Sequence, residues 1–198
     1  MKTLYLIRHG VAQHNVLFES FGKRVFFDER YYDTHLTCEG HGQSFKLGEE
    51  LGKRDYNDID LVLTSSLTRT LETTHNIFKD FKKPIIALDI LKEYPQGLQT
   101  INKRGLKTEL EVLFPIIDFS HLKSERDFMW NPARVETMDE LNSRINGFKK
   151  FISGRDEKKI AVVGHSSFIG QFKDNHIGLL ENGDKELLHC HPYEYIFH

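Results

Sequence analysis

Apolar residues fall along this chain in two rhythms. The first is a short unbroken run, seen at residues 3–7 (TLYLI), 59–63 (IDLVL), 84–88 (PIIAL) and 160–163 (IAVV). Runs of this length, rich in Val, Ile and Leu, suit strands buried on both faces. The second rhythm steps by three and four. Met138, Leu141, Ile145, Phe148 and Ile152 form one apolar stripe, and Thr137 with Glu140 makes a capping box before it, which predicts a helix over 138–152. Leu67, Leu71, Thr74 and Phe78 share a helix face after the second run. A further helix is predicted from Thr37-Cys38-Glu39-Gly40 to about Lys53, although Gly40, Gly42 and Gly48 weaken it. Near the end, Tyr193, Tyr195 and Phe197 alternate with other residues, as in a last strand.

Strands alternating with helices predict an α/β fold, a three-layer αβα sandwich around a mostly parallel sheet. In such sheets ligands bind beyond the carboxyl ends of the strands. The first run ends in Arg8-His9-Gly10, the second in a segment carrying Arg69, the "PIIAL" run leads to Glu93, and "IAVV" leads to His165. All of these are therefore expected to converge on one sheet edge. Residues 16–36 are aromatic and charged without clean periodicity, and residues 94–135 form a long insert; both are candidates for pocket walls. With no internal repeat or linker, residues 1–198 read as a single domain.

Composition narrows the classes. A formal net charge of −2 gives no broad basic surface for nucleic acid. The apolar run at the start is interrupted too early for an export signal, and no later stretch approaches a membrane span, so no membrane partner is expected. Two cysteines, Cys38 and Cys190, give no disulfide framework and suit the cytoplasm. Eleven histidines raise the question of a metal, centred on His189, Cys190, His191 and His198. That cluster lacks a second ligand pair at suitable spacing, so no metal site and no cofactor are expected.

The candidate chemistry follows from residue type. A neutral imidazole is a nucleophile near pH 7, and attack on phosphorus divides one hard displacement into two easier ones. Guanidinium groups offset the phosphoryl charge, and a carboxylic acid protonates the departing alcohol. His9, Arg8, Arg69, His165 and Glu93 supply these parts. Each alone has a plainer reading: a capping histidine, an exposed helix arginine, a solvated loop acid. Their convergence at successive strand ends favours the site.

The blocks "RHGVAQHN", "LTCEGHGQ", "TSSLTRTLETT" and "VVGHSSFI", in this order and spacing, resemble the histidine phosphatase superfamily, also called phosphoglycerate mutase-like. "LFPIIDF" at 113–119 and "WNPARVET" at 130–137 bring the chain closer to its plant and fungal phosphoglycerate mutase-like proteins. The resemblance implies that His9 is the phosphorylated nucleophile and His165 the second histidine at the phosphoryl group. It implies that Arg8 and Arg69 hold phosphate, with Asn15 as a further polar contact. Ser166 is expected near the phosphate at the start of the next helix. Glu93 matches the proton donor, in a motif ("LKEYPQGLQT") that departs from the family's glycolytic mutases; Asp33 is the reserve. The expected function is a metal-independent phosphomonoester hydrolase acting on a small phosphorylated substrate through a phosphohistidine. The alternatives are a phosphoglycerate mutase and a non-catalytic phosphate-binding module. Hydrolysis is favoured because the chain stops at His198, soon after the last strand, where the mutases carry a longer tail. Substrate identity and oligomeric state are not legible.

Overall fold

The unbroken apolar runs are continuous because both faces of every inner strand are covered. The computed structural model describes residues 1–53, 58–177 and 187–198. Its sheet consists of β1 (Lys2–Arg8), β2 (Leu61–Ser65), β3 (Ile85–Leu88), β4 (Lys159–Gly164) and β5 (Pro192–Phe197), in the order β3-β2-β4-β1-β5. The strands pair in parallel except β5, which runs antiparallel to β1.

Side chains alternate between the two faces at the two-residue period of a strand. Leu4, Leu6, Leu61, Leu63, Ile160 and Val162 pack against α5 (Met138–Ser153) and α6 (Ser166–Asp174). Ile7, Val62, Ala161 and Val163 face the opposite way, toward α2 (Cys38–Lys53), α3 (Thr68–Phe78) and α4 (Lys107–Leu113). The result is the expected three-layer arrangement. The stripe on α5 buries Leu141, Ile145, Phe148 and Ile152, and truncating a ring such as Phe148 in such a core typically costs about 3–5 kcal/mol. The capping box is present: the Thr137 hydroxyl accepts from Glu140 N at 3.3 Å, and the Glu140 carboxylate accepts from Thr137 N at 2.9 Å.

The structure departs from the sequence expectations in three places. Strand β2 begins at Leu61, not Ile59, because Asp60 turns its carboxylate to Lys158 N and Lys159 N at 3.1 and 3.0 Å. Residues 16–36 include most of a helix, α1 (Gln13–Phe21), followed by 3-10 turns at Gly22–Phe27 and Glu29–Tyr31. The 94–135 insert is only partly a pocket wall. Ile117, Phe119 and Leu122 sit in the core, and Asp118 bonds along the free edge of β3 through Ile85 O and Ala87 N. Among the described residues no helix is long and apolar enough to cross a membrane.

Candidate active site

Four strand ends build the site. β1 and β4 lie side by side with Arg8 opposite Gly164, so His9 and His165 emerge together. Their ring centroids are 5.2 Å apart, and both rings are buried. Arg69 sits in the first turn of α3, directly after β2. Glu93 follows the 3-10 turn Asp89–Leu91 that ends β3.

Glycine makes the first of these turns possible. A Cβ on Gly10 would stand 2.5 Å from Gly40 O, and one on Gly40 would stand 2.2 Å from Val11 O. The loop after His9 is thus pressed on the first turn of α2, where Thr37 caps by accepting from Gly40 N at 3.1 Å. Gly40, a weakness for helix propensity, is a requirement for this close approach.

Arg8, His9, Asn15, Arg69, Glu93 and Ser166 line one cleft of about 240 Å³, and His14 joins them. His165 is fully buried behind His9. The His9 Nδ1 lies 2.7 Å from Gly10 O. A carbonyl can only accept, so Nδ1 carries the proton and Nε2 keeps its lone pair. The Arg69 guanidinium donates to Ile101 O at 2.7 Å and to the Asn102 amide oxygen at 2.9 Å. Its Nε, and Nδ1 of His165, are buried with no partner among the described residues. Arg69 lines the cleft, so its Nε is a charged donor suited to an anion there. His165 Nε2 pairs with Ser65 Oγ at 2.8 Å. Arg8 Nη1 donates to Leu187 O at 2.8 Å. The Asn15 amide oxygen accepts from Ala12 N at 2.9 Å, which leaves its NH₂ as the donor for a ligand.

Glu93 lies across the start of α6: its carboxylate accepts from Tyr94 N at 2.8 Å and, at 3.3–3.4 Å, from the Ser166 hydroxyl, Ser167 N and Phe168 N. Its loop is clamped from below. Arg144 donates to Ile90 O and Lys92 O at 2.9 and 2.8 Å and pairs with Glu136, whose carboxylate accepts from Gln96 N at 3.0 Å. Asp33, the reserve donor, is buried away from the cleft lining; its oxygens accept from Thr68 N, the Thr68 hydroxyl and Gly105 N. It fixes the start of α3, and hence Arg69.

Two histidines were missed as site residues. His14 is buried with its ring 5.9 Å from His9, held by Thr34 Oγ1 at 2.7 Å. It stands in the quoted "RHGVAQHN" block, so a helix starting at Gln13 was the signal that would have found it. His189 belongs to the histidine cluster that raises the question of a metal. Instead its Nδ1 donates to His9 O at 2.5 Å and its ring lies 5.5 Å from His9, while His191 packs on Tyr193 at 4.7 Å. Nothing local in sequence announces a partner so far along the chain.

Burial holds His9, His14 and His165 well below the usual histidine range, and the charge of Arg69 adds to the effect in each case. Burial also lowers Arg69, to about 10, against the raising influence of Asp33 and Glu93; it stays a cation at neutral pH. Stability should therefore fall on acidification. Below pH 6.5 the unfolded chain takes up protons that the folded imidazoles refuse, so the slope is up to about 1.4 kcal/mol per pH unit for each group between its two pKa values. His35, raised by Glu72, and Asp33, raised by burial, work in the opposite sense, two groups against three. Urea unfolding between pH 7.5 and 5.5 in phosphate-free buffer should show the midpoint dropping, and a flat profile would contradict the buried neutral imidazoles.

Known proteins resemble this chain in sequence and in fold. An Arabidopsis thaliana phosphoglycerate mutase-like protein is 29% identical over 197 residues, spanning 85% of this chain and 72% of its own length. A Bacillus subtilis protein named uncharacterized phosphatase PhoE is 26% identical over 188 residues, spanning 94% of this chain and 81% of its own. Among solved structures, the ecdysone phosphate phosphatase of Bombix mori, in complex with tungstate, shares the fold with a TM-score of 0.63 at 15% identity, over 98% of this chain and 88% of that one. The sequence model of the histidine phosphatase superfamily (branch 1) matches residues 4–183, a span that holds Arg8, His9, Arg69, Glu93 and His165 alike. On that match the chain belongs to this superfamily, and its chemistry is phosphoryl transfer by a phosphatase or a mutase.

Proposed function

We propose that the chain hydrolyses small phosphomonoesters through a phosphohistidine at His9, without a metal. The observation that carries this reading is the bond from His9 Nδ1 to Gly10 O, which leaves a neutral imidazole with a free Nε2 beside Arg69 and His165. In the first step the Nε2 lone pair attacks phosphorus and the ester P–O bond breaks. The departing oxygen takes a proton from the Glu93 carboxyl group. Arg8 and Arg69 offset the charge on the non-bridging oxygens, the open Arg69 Nε and His165 Nδ1 donate to them, and Asn15 and the α6 start at Ser166 add further donors. In the second step water attacks phosphorus, the P–N bond breaks with its electrons returning to Nε2, and the water proton goes to Glu93. The acid and the free imidazole are then both restored.

Transfer to a second hydroxyl of phosphoglycerate is the alternative, favoured by the name of the Arabidopsis relative. Both readings share the phosphoenzyme. Exposure to a radiolabelled phosphodonor should leave an acid-labile, base-stable label on His9, which water then discharges to inorganic phosphate. Discharge that requires phosphoglycerate would make the protein a mutase. Absence of both label and turnover would make it a phosphate-binding module.

A further inference from the structure

The anion cleft does not end at Asn15. It opens into a larger groove of about 770 Å³ that shares Arg8, His14, Asn15 and Phe26 with it. We propose that this groove holds the apolar, ring-sized alcohol portion of the phosphomonoester and selects against a second anionic group; this rests on the phosphatase reading for its catalytic meaning.

One part of the groove wall is apolar, made by Val11, Val16, Phe18 and Phe26. Phe18 and Phe26 stack with centroids 5.3 Å apart and planes 9° from parallel, and Phe26 also meets the His14 ring edge-on at 6.3 Å. Phe18 is 42% and Val16 48% exposed, both on the groove side of α1. An aromatic pair that is partly exposed, next to an anion site, offers an apolar surface to a bound ring. The charges point the same way. Beyond the cleft shared with Arg8, the lining holds Glu19 and Glu39 against Lys23. A carboxylate or second phosphate calls for convergent guanidinium groups, whereas here it would meet two acids and one amine.

Non-hydrolysable phosphonates test this by calorimetry without needing turnover. Binding of 3-phenylpropylphosphonate should be about tenfold tighter than that of ethylphosphonate, the effect of covering one side of a phenyl ring. 3-Phosphonopropionate should bind no tighter than ethylphosphonate. Phe18→Ser should shrink the phenyl preference to about threefold or less, and Phe18→Trp should retain it. Equal affinity for the phenyl and ethyl compounds, a preference untouched by Phe18→Ser, or tightest binding of the phosphonopropionate would each overturn the proposal. If His9 takes no label while the phenyl preference stands, the catalytic reading fails and the groove assignment survives.

Discussion

Alanine in place of His9 should lower turnover of any phosphomonoester by on the order of 10⁴-fold or more, the scale on which removing a covalent nucleophile acts. The same variant should take no acid-labile label. Its neighbours are poorly placed to substitute. His14 and His189 come within 5.9 and 5.5 Å of the His9 ring, but each is tied by its Nδ1, to Thr34 Oγ1 and to His9 O. His165 is held through Nε2 by Ser65. The groups that grip the anion remain in His9→Ala, so binding of inorganic phosphate, a ground-state anion, should stay within about tenfold of wild type while turnover is lost. That separation is what distinguishes a nucleophile from a residue that merely shapes the cleft. Turnover that survives the substitution, or phosphate binding that disappears with it, would remove His9 from the proposed role.

How much of this was legible depends on where each side chain points. The inner strands β2 and β4 and helix α5 could be read because nearly all their apolar residues face the core, so the sequence pattern follows the burial pattern. Helix α1 could not. Val16, Phe18 and Phe21 are exposed, and His14 is its buried residue, so its apolar positions trace no core-facing stripe. Two of these outward side chains, Val16 and Phe18, line the groove. Arg8, His9, Arg69 and His165 were legible as groups at strand ends because the parallel topology sends them to one edge. Glu93 could be placed by order alone. The groups that fix its loop could not, since Arg144 reaches Ile90 O across the fold and Lys92 meets Asp127. Such pairs have no period, and only the folded chain brings them together.

The Lys92–Asp127 pair carries a stability effect as large as that of a core ring. Both side chains are completely buried. Asp127 also accepts from Arg104 N, Met129 N and Trp130 N at 2.9–3.1 Å. Beside it, Arg104 pairs with Asp89, which takes the Ser66 hydroxyl at 2.5 Å. The end of β2, the turn after β3 and the 124–130 segment are thereby tied together under the loop that carries Glu93. Asp127→Ala leaves a buried ammonium and three backbone N–H groups unpaired, and should cost about 3–5 kcal/mol. That is a large share of the ~5–15 kcal/mol total typical of a domain. Lys92→Met should cost less, because the remaining carboxylate keeps its three N–H donors. The pH dependence carries a sign. Burial already lowers the Lys92 pKa against the pull of Asp127; without the aspartate it falls further, so the unfolded chain binds a proton that the folded variant does not. The deficit of Asp127→Ala relative to wild type should therefore shrink as pH rises from 7 to 9. Urea midpoints for the two single variants at both pH values decide the matter. Equal losses, or a deficit that widens with pH, would mean that the network is held by packing and not by the charge on Lys92.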